Sequence, residues 1–325
     1  MRKNWAALAL TGMLCLTTFA GIQTVSAETA DSAKQVDIVF THDTHSHLNT
    51  FTTIVDEAEK EVGGFARINT LIQEQKAKNP DTLVIDGGDF SMGTLIQTVF
   101  ETQAAEIRML GYMGCDVTTL GNHEFDYGMM RALDVAQNSG FPYVSCNFYE
   151  EKDGNRGDNV LDSYKIFEKD GVKIAFVGIT TPESFTKSTP SYFQDENGNY
   201  IYGISGGSDG KALYDDVQKS IDEAKAAGAD YVIALGHLGI DTGSAPWRST
   251  DVIANTAGLD AFIDGHSHST VESDMIKDKD GNQVLLTQTG SYFGAVGKMT
   301  ISADGVISTQ LIEYADGVDR EAATA

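Results

Sequence analysis

Apolar segments of this chain end repeatedly in short runs of glycine, aspartate, asparagine and histidine. The pattern recurs after the segments at 36–40, 82–86, 117–120, 231–235 and 261–264. Stretches with helical spacing of apolar residues alternate with them, at 64–78, 95–113, 129–139 and 215–227. This alternation predicts an α/β domain, in which functional sites form outside the carboxyl ends of the strands.

The remaining segments complete the same plan. Apolar runs at 143–146 and 172–179 predict two further strands, and residues 283–314 predict three strands joined by turns. Residues 182–210 have no clear period and are rich in Ser, Gly, Asn and Tyr, which predicts a long loop near the site. The sequence contains no internal repeat and no low-complexity block.

The charge balance limits the class of ligand. Acidic residues outnumber basic ones by 47 to 23 in 325 residues, and the formal net charge is −24. Such a surface disfavours binding of a nucleic-acid polymer through charge alone. If the substrate is anionic, something other than the net charge of the protein must attract it.

The N-terminus has the pattern of a secretory signal peptide. Arg2 and Lys3 precede an apolar stretch at 5–20, and Val25-Ser26-Ala27 forms a small-residue cleavage site. An uncleaved membrane anchor is the alternative, but the apolar stretch is short. We therefore predict a signal peptide at 1–27, no stable membrane span after its removal, and a secreted, periplasmic or cell-surface protein.

Two cysteines, Cys115 and Cys146, lie outside the predicted signal peptide. An exported protein could join them in one disulfide, and two buried free thiols are equally compatible with the sequence.

Histidines and acidic residues gather where the predicted strands end. The chain contains seven histidines, and each follows a predicted strand: His42, His45, His47, His123, His237, His266 and His268. Asp43, Asp89 and Asn122 occupy equivalent positions. Carboxylates, an amide and several imidazoles together suit two divalent transition ions, such as Zn, Mn, Co or Fe.

Five motifs in this order resemble those of a known family. They are Asp43-Thr44-His45, Gly87-Gly88-Asp89, the run from Gly121 to Asp126 (Gly-Asn-His-Glu-Phe-Asp), Gly236-His237 and Gly265-His266-Ser267-His268. The sequence resembles the calcineurin-like dinuclear metallophosphoesterases, in particular the exported bacterial 5′-nucleotidase and 2′,3′-cyclic-nucleotide phosphodiesterase branch. The resemblance covers a catalytic domain at 36–314, between a polar segment at 28–35 and a C-terminal tail at 315–325, without the branch's usual C-terminal specificity domain.

The resemblance implies a fold and a set of site residues. The fold would be a four-layer α/β/β/α sandwich of two mixed sheets flanked by helices. Asp43, His45 and His268 would bind one metal ion, Asn122, His237 and His266 would bind the other, and Asp89 would bridge them. Some members have Gln in place of His268. His123 and Asp126 match the catalytic pair of the family.

The activity implied is hydrolysis of phosphate esters. Two nearby ions lower the pKa of a shared water, so that a bridging hydroxide can attack phosphorus in line. The substrates implied are nucleotides, with a 5′-nucleotidase first and a 2′,3′-cyclic-nucleotide phosphodiesterase or broad phosphoesterase as the alternative. A non-catalytic exported metal-binding or surface-binding protein is the rival from another class, and the presence of both His123 and Asp126 argues against it.

Several nearby residues are interpreted as structural. His42 and His47 flank the predicted ligands, and we expect hydrogen-bonded supporting positions for both. Arg67 is interpreted as a surface or helix-packing residue. Loop aromatics could stack on a base, although local packing is the commoner role, and these are Tyr192, Phe193, Tyr200, Tyr202, Tyr292 and Phe293.

Overall fold

The computed structural model describes residues 35–55 and 58–313. The predicted signal peptide and C-terminal tail lie outside the described residues, as does the polar segment up to residue 34. No helix within the described part of the chain is long and apolar enough to cross a membrane.

Strands and helices alternate through most of the described chain. The strands are β1 Val36–Thr41, β2 Thr50–Val55, β3 Ala58–Gly63, β4 Leu83–Asp86, β5 Val117–Thr119, β6 Tyr143–Val144, β7 Phe148–Lys152, β8 Asn155–Asn159, β9 Tyr164–Lys169, β10 Val172–Thr180, β11 Tyr202–Ile204, β12 Tyr231–His237, β13 Ala261–Ile263, β14 Thr270–Lys277, β15 Gln283–Thr289, β16 Ala295–Ile301 and β17 Ile307–Glu313. The α-helices are α1 Phe65–Lys78, α2 Phe100–Gln103, α3 Ala105–Met113, α4 Met129–Asn138, α5 Ser184–Lys187, α6 Lys211–Ala226 and α7 Ser249–Asn255. Short 3-10 helices occupy Leu95–Val99, His123–Phe125, Pro190–Phe193 and Thr242–Ser244.

Two six-stranded mixed sheets form the centre of the fold. The first has the order β17-β16-β1-β4-β5-β6, with β1, β4, β5 and β6 parallel. The second has the order β14-β15-β13-β12-β10-β9, with β10, β12, β13 and β15 parallel. A three-stranded sheet, β11-β7-β8, and the hairpin β2-β3 are separate.

Alternation of side chains along the strands creates three apolar layers. Ile38 and Phe40 of β1 face the second sheet and pack in one core with Phe176 and Ile233. Val39, between them, faces the opposite way and packs in the core that contains α1, α3 and α4. The second sheet packs its outer face against α6 and α7. These layers confirm the predicted sandwich of two mixed sheets flanked by helices.

Most of the predicted strands are present, and the differences lie in irregular segments. The helix predicted at 95–113 is interrupted at Ala104, which has a left-handed backbone (φ 43°). The loop predicted at 182–210 contains α5, a 3-10 helix and the strand β11, and α6 begins at Lys211 rather than at Asp215. His237 is the last residue of β12 rather than the residue after a strand.

Cys115 and Cys146 are both buried free thiols. Cys115 belongs to the core beneath α1, α3 and α4, whereas Cys146 belongs to the core beneath α6 and α7. Burial raises the pKa of both thiols. The sequence left a disulfide open, and the structure places the two sulfurs in different layers.

We expect a thiol reagent such as DTNB to leave both cysteines unmodified in the native protein and to label both in denaturant, because burial keeps the thiols protonated and inaccessible. Reductant should leave the melting temperature unchanged. Labelling of only one equivalent, or of none, in denaturant without reductant would contradict free thiols.

Candidate active site

Five strands, β1, β4, β5, β12 and β13, deliver the predicted site residues to one edge of the sandwich. β1, β4 and β5 of the first sheet end beside β10, β12 and β13 of the second, and the parallel direction within each sheet brings their carboxyl ends together. A pocket of about 430 Å³ opens there. It is lined by His45, His47, Asp89, Met92, Gly93, Asn122, His123, Lys187, His266, His268 and Tyr292.

The turns that carry these residues have unusual backbone conformations. Positive φ angles occur at five of the predicted ligands, Asp43, His45, Asp89, His266 and His268. A left-handed backbone disfavours side chains with a Cβ by roughly 1–2 kcal/mol per residue. Such strain concentrates at functional sites, where the surrounding structure imposes it.

Two groups of potential ligand atoms lie side by side. Atoms of Asp43, His45 and His268 lie within 4.8 Å of one another, and so do atoms of Asp89, His237 and His266. The first group contains the three residues that the resemblance assigns to one ion, and the second contains Asp89 with two of the three residues assigned to the other. A third such group joins His45, Asp89 and His123.

Asp89 lies between the two groups. Its Oδ2 is 3.0 Å from Nε2 of His237 and 3.9 Å from Nε2 of His45. Its Oδ1 accepts the backbone N–H of His123 at 2.8 Å. One carboxylate oxygen is therefore fixed by the backbone, and the other faces both groups.

Three buried polar atoms have no hydrogen-bond partner among the described residues and belong to predicted ligands. They are Oδ1 of Asp43, Oδ1 of Asn122 and Nε2 of His237. A buried polar atom left unsatisfied costs about 1–3 kcal/mol. Oxygen and imidazole donors suit divalent transition ions, so these atoms fit a site completed by bound metal.

The carboxylates and imidazoles of the pocket shift one another's pKa values. Burial opposes ionisation of Asp43 and Asp89, but the positive charge on His237 and hydrogen bonds from neighbouring imidazoles together outweigh burial and hold the pKa of both carboxyls below the usual range. Burial would lower the pKa of His237, and Asp89 and Asp43 instead raise it well above the ordinary value.

His42 supports Asp43 in the way expected from the sequence. Its Nε2 accepts the backbone N–H of Thr289 at 2.7 Å, so Nδ1 carries the proton and donates to Oδ2 of Asp43 at 2.6 Å. The backbone N–H of His266 donates to the same oxygen at 2.9 Å. Both ring nitrogens of His42 are thus occupied, and Oδ1 of Asp43 is left facing the imidazoles of His45, His237 and His268.

Glu124 and Glu183 are two residues of the site to which sequence reasoning assigned no role. Glu124 is buried and accepts backbone N–H groups from Gly121 (2.6 Å), Asp89 (2.9 Å) and Phe90 (3.1 Å), which ties the end of β4 to the end of β5. Burial, with the charge on Asp89, raises the pKa of Glu124 to about 8.

Glu183 contacts a predicted ligand from the second sheet. Its Oε2 lies 2.6 Å from Nε2 of His266 and accepts a hydrogen bond from the hydroxyl of Ser244 at 3.0 Å. A carboxylate bound to one imidazole nitrogen orients the ring and makes its other nitrogen a better ligand. The sequence signal was available, because Glu183 follows the end of β10 just as Asp43 follows β1.

His123 and Asp126 form a pair beside the ligand groups. Nδ1 of His123 lies 2.5 Å from Oδ2 of Asp126, and the His123 side chain is 30% exposed at the pocket. Burial opposes its protonation, but the hydrogen bond with Asp126 and the charge on Asp89 raise the pKa of His123 to about 9. A protonated imidazole is therefore available at neutral pH.

The remaining predictions concern Arg67 and His47. Arg67 interacts with Glu61 on β3 at the surface, in agreement with a structural interpretation. His47 lines the pocket, and its Nδ1 donates to the backbone carbonyl of His45 at 2.8 Å.

Comparison with known families agrees with this geometry. Residues 36–270 match the model of the calcineurin-like phosphoesterase domain. The chain belongs to the calcineurin-like phosphoesterase family. Curated relatives of this phosphoesterase chain include 5′-nucleotidases and 2′,3′-cyclic-nucleotide phosphodiesterases.

Two curated relatives and one solved structure illustrate the similarity. The trifunctional nucleotide phosphoesterase protein YfkN of Bacillus subtilis is 27% identical over 76% of this chain and 17% of its own length. The NAD 5′-nucleotidase of Haemophilus influenzae is 25% identical over 95% of this chain and 51% of its own. The crystal structure of a 5′-nucleotidase precursor from Thermus thermophilus has a TM-score of 0.71 at 23% identity and covers 86% of this chain and 54% of that one. This phosphoesterase chain thus spans about half the length of these relatives or less.

Proposed function

We propose that this chain is an exported, two-metal phosphoester hydrolase of the 5′-nucleotidase type. The observation that carries the proposal is the pair of ligand groups joined by Asp89, with the His123–Asp126 pair beside them. Membership in the phosphoesterase family supports it. Export rests on the signal pattern of residues 1–27.

The residues have distinct roles in this proposal. Asp43, His45 and His268 would hold one divalent ion, Asn122, His237 and His266 would hold the second, and Asp89 would lie between the two sets of ligands. Divalent ions held there would supply Lewis acidity toward the phosphoryl oxygens and acidify a water molecule. They would also supply the local positive charge that a chain of net charge −24 lacks.

The chain's own groups complete the chemistry. His123 holds a proton on Nε2, because Asp126 occupies Nδ1, and can donate it to the leaving alkoxide. Lys187 is the only Lys or Arg among the described residues that line the pocket, and it can contact an anionic substrate. Glu124 and His42 keep Asp89 and Asp43 oriented through the hydrogen bonds described above.

A broad phosphoesterase acting on several nucleotides is the second candidate. The similarity to a protein named as a trifunctional nucleotide phosphoesterase favours it. The same pocket could accept a monoester or a cyclic diester, since the ligands and the acid are common to both reactions.

A substrate panel separates these functions. The protein is loaded with Mn, Co or Zn and assayed with 5′-AMP, 2′,3′-cyclic AMP, UDP-glucose and bis-p-nitrophenyl phosphate. We expect 5′-AMP to give the highest kcat/KM, and EDTA to remove the activity until metal is restored. Similar kcat/KM values for several of these compounds would favour the broad phosphoesterase, and a higher kcat/KM with 2′,3′-cyclic AMP would favour a cyclic-nucleotide phosphodiesterase.

Turnover of none of the four compounds with any of the three metals would contradict the proposal. Metal binding without turnover would favour the non-catalytic metal-binding protein. Metal content after dialysis distinguishes that result from a failure to load the site.

A further inference from the structure

Tyr292 is the aromatic residue of the predicted loop set that lines the pocket. Phe193 and Phe293 are buried in the core, with exposures of 0% and 3%. Tyr200 packs against Phe185, and the others also lie outside the described pocket lining. Tyr292 therefore differs from the other aromatic residues of this set, because it lies in the pocket wall.

The backbone around Tyr292 is held in a conformation that non-glycine residues disfavour. Tyr292 and Phe293 have consecutive positive φ angles of 59° and 57°. The N–H of Tyr292 donates to the carbonyl of Asp43 at 2.8 Å, and the buried ring of Phe293 anchors the turn. The Tyr292 ring is therefore positioned by the same strand end that positions a predicted ligand.

His47 extends the aromatic surface. The rings of His47 and Tyr292 lie with centroids 4.2 Å apart and planes at 32°, and Phe51 packs 5.1 Å from His47. The hydrogen bond from Nδ1 of His47 to the carbonyl of His45 fixes the orientation of the imidazole. His47 and Tyr292 together form a preformed pair of rings in the pocket wall.

The aromatic pair lies close to the proposed proton donor, because Tyr292 and His123 both contact the His45 ring. The centroid of the His45 ring lies 5.6 Å from the centroid of the Tyr292 ring and 5.2 Å from that of the His123 ring. Tyr292 also lies 5.3 Å from the His268 ring. The proposed proton donor and the aromatic pair are thus neighbours of the same imidazole.

We propose that the His47–Tyr292 pair is a stacking platform for a planar ring carried by the leaving group. The substrate class is a phosphate ester whose alcohol bears a nucleobase. The platform should therefore bind a nucleoside ester more tightly than the same ester without the base. The platform rests on the proposed function, because the phosphate must occupy the pocket beside His123. Aromatic side chains stack on every base, so the platform selects for a base rather than for one base.

The test compares 5′-AMP with ribose 5-phosphate, which keeps the ester and the sugar and lacks the base. Stacking that is equal in the bound substrate and the transition state changes KM and not kcat. We expect Tyr292→Ala to raise KM for 5′-AMP relative to KM for ribose 5-phosphate by roughly tenfold, since base–aromatic stacking has about that effect on affinity. Tyr292→Phe should keep the wild-type ratio.

Controls separate stacking from a general loss of structure. Tyr112, which is 64% exposed on α3 and outside the pocket lining, provides a matched Tyr112→Ala variant that should match wild type for both substrates. Melting temperature and bound metal are measured for each variant. An equal rise in KM for both compounds in Tyr292→Ala, or an unchanged ratio, would overturn the platform.

Equilibrium binding keeps the platform testable apart from catalysis. Calorimetric titration is made on metal-loaded protein that carries His123→Ala, because turnover of 5′-AMP would otherwise prevent equilibrium. Adding Tyr292→Ala to that protein should change the relative affinity for 5′-AMP and ribose 5-phosphate by the same tenfold. If wild type hydrolyses neither compound, the proposed function fails while this binding ratio still decides the platform. If wild type hydrolyses both and the variant keeps its ratio in both assays, the platform fails and the proposed function stands.

Discussion

Asp89→Asn should reduce kcat/KM for 5′-AMP by about 10³-fold or more and lower the bound metal content. Asparagine keeps an oxygen that can accept the N–H of His123, but it removes the negative charge that faces His237 at 3.0 Å and His45 at 3.9 Å. Loss of the Lewis acidity supplied by bound ions costs several kcal/mol of transition-state stabilisation, which corresponds to that rate. Steady-state kinetics and elemental analysis of dialysed protein measure the two effects.

The matched control is Asp215→Asn. Asp215 is exposed on α6 and pairs with Lys211 at the surface, so the same chemical change there should alter neither metal content nor rate. Retention of wild-type metal content and rate by Asp89→Asn would contradict a bridging position. Loss of metal in both variants would point to a general effect of charge.

The strands that carry the site were predictable because their cores are short apolar runs. β1, β4, β12 and β13 are buried on both faces, between a helix layer and the other sheet, so their sequences are almost continuously apolar. Polar residues then mark where each strand leaves the core. Because functional sites form outside the carboxyl ends of such strands, the sequence pattern alone predicts that Asp43, Asp89 and His237 lie near one another.

The missed elements are those with little buried surface. β8 and β14 are largely exposed and carry charged or polar residues, and the hairpin β2-β3 is rich in Thr, Glu and Lys. Their hydrogen-bonded register comes from neighbouring strands rather than from a hydrophobic pattern. The interruption of the predicted helix at Ala104 was also missed, because alanine has the highest helix propensity and nothing in the local sequence indicates a left-handed backbone there.

Pairwise contacts within the site could be predicted less well than its composition. Sequence position suggested that His42 supports a ligand, but the tautomer that directs its proton to Asp43 depends on the N–H of Thr289, 247 residues away. Glu183 approaches His266 across a separation of 83 residues. Such contacts depend on how the two sheets face each other, and the pattern of residues in a single sequence does not predict that arrangement.

His123→Ala should lower kcat for 5′-AMP by about 10²- to 10⁴-fold while the protein retains its metal. The imidazole is 30% exposed at the pocket, and the proposal does not use it as a metal ligand. A positioned general acid typically contributes about 10²- to 10⁴-fold to the rate. The loss should be smaller for p-nitrophenyl phosphate, because its leaving group is a stable phenolate that needs little protonation. Equal rates in wild type and variant would contradict the role, and loss of metal would assign His123 to the structure of the site.

The pH dependence provides an independent measure of the same role. A general acid is active in its protonated form, so kcat should hold below the pKa of His123 and fall as pH rises through it. Asp126 raises that pKa through the hydrogen bond at Nδ1, with the charge on Asp89 adding to it. Asp126→Asn should therefore shift the alkaline limb of the kcat profile to lower pH when both proteins carry the same metal. Among the described side chains, only Asp126 is hydrogen-bonded to Nδ1 of His123. An alkaline limb that does not shift in Asp126→Asn would therefore contradict the effect of Asp126 on the pKa of His123.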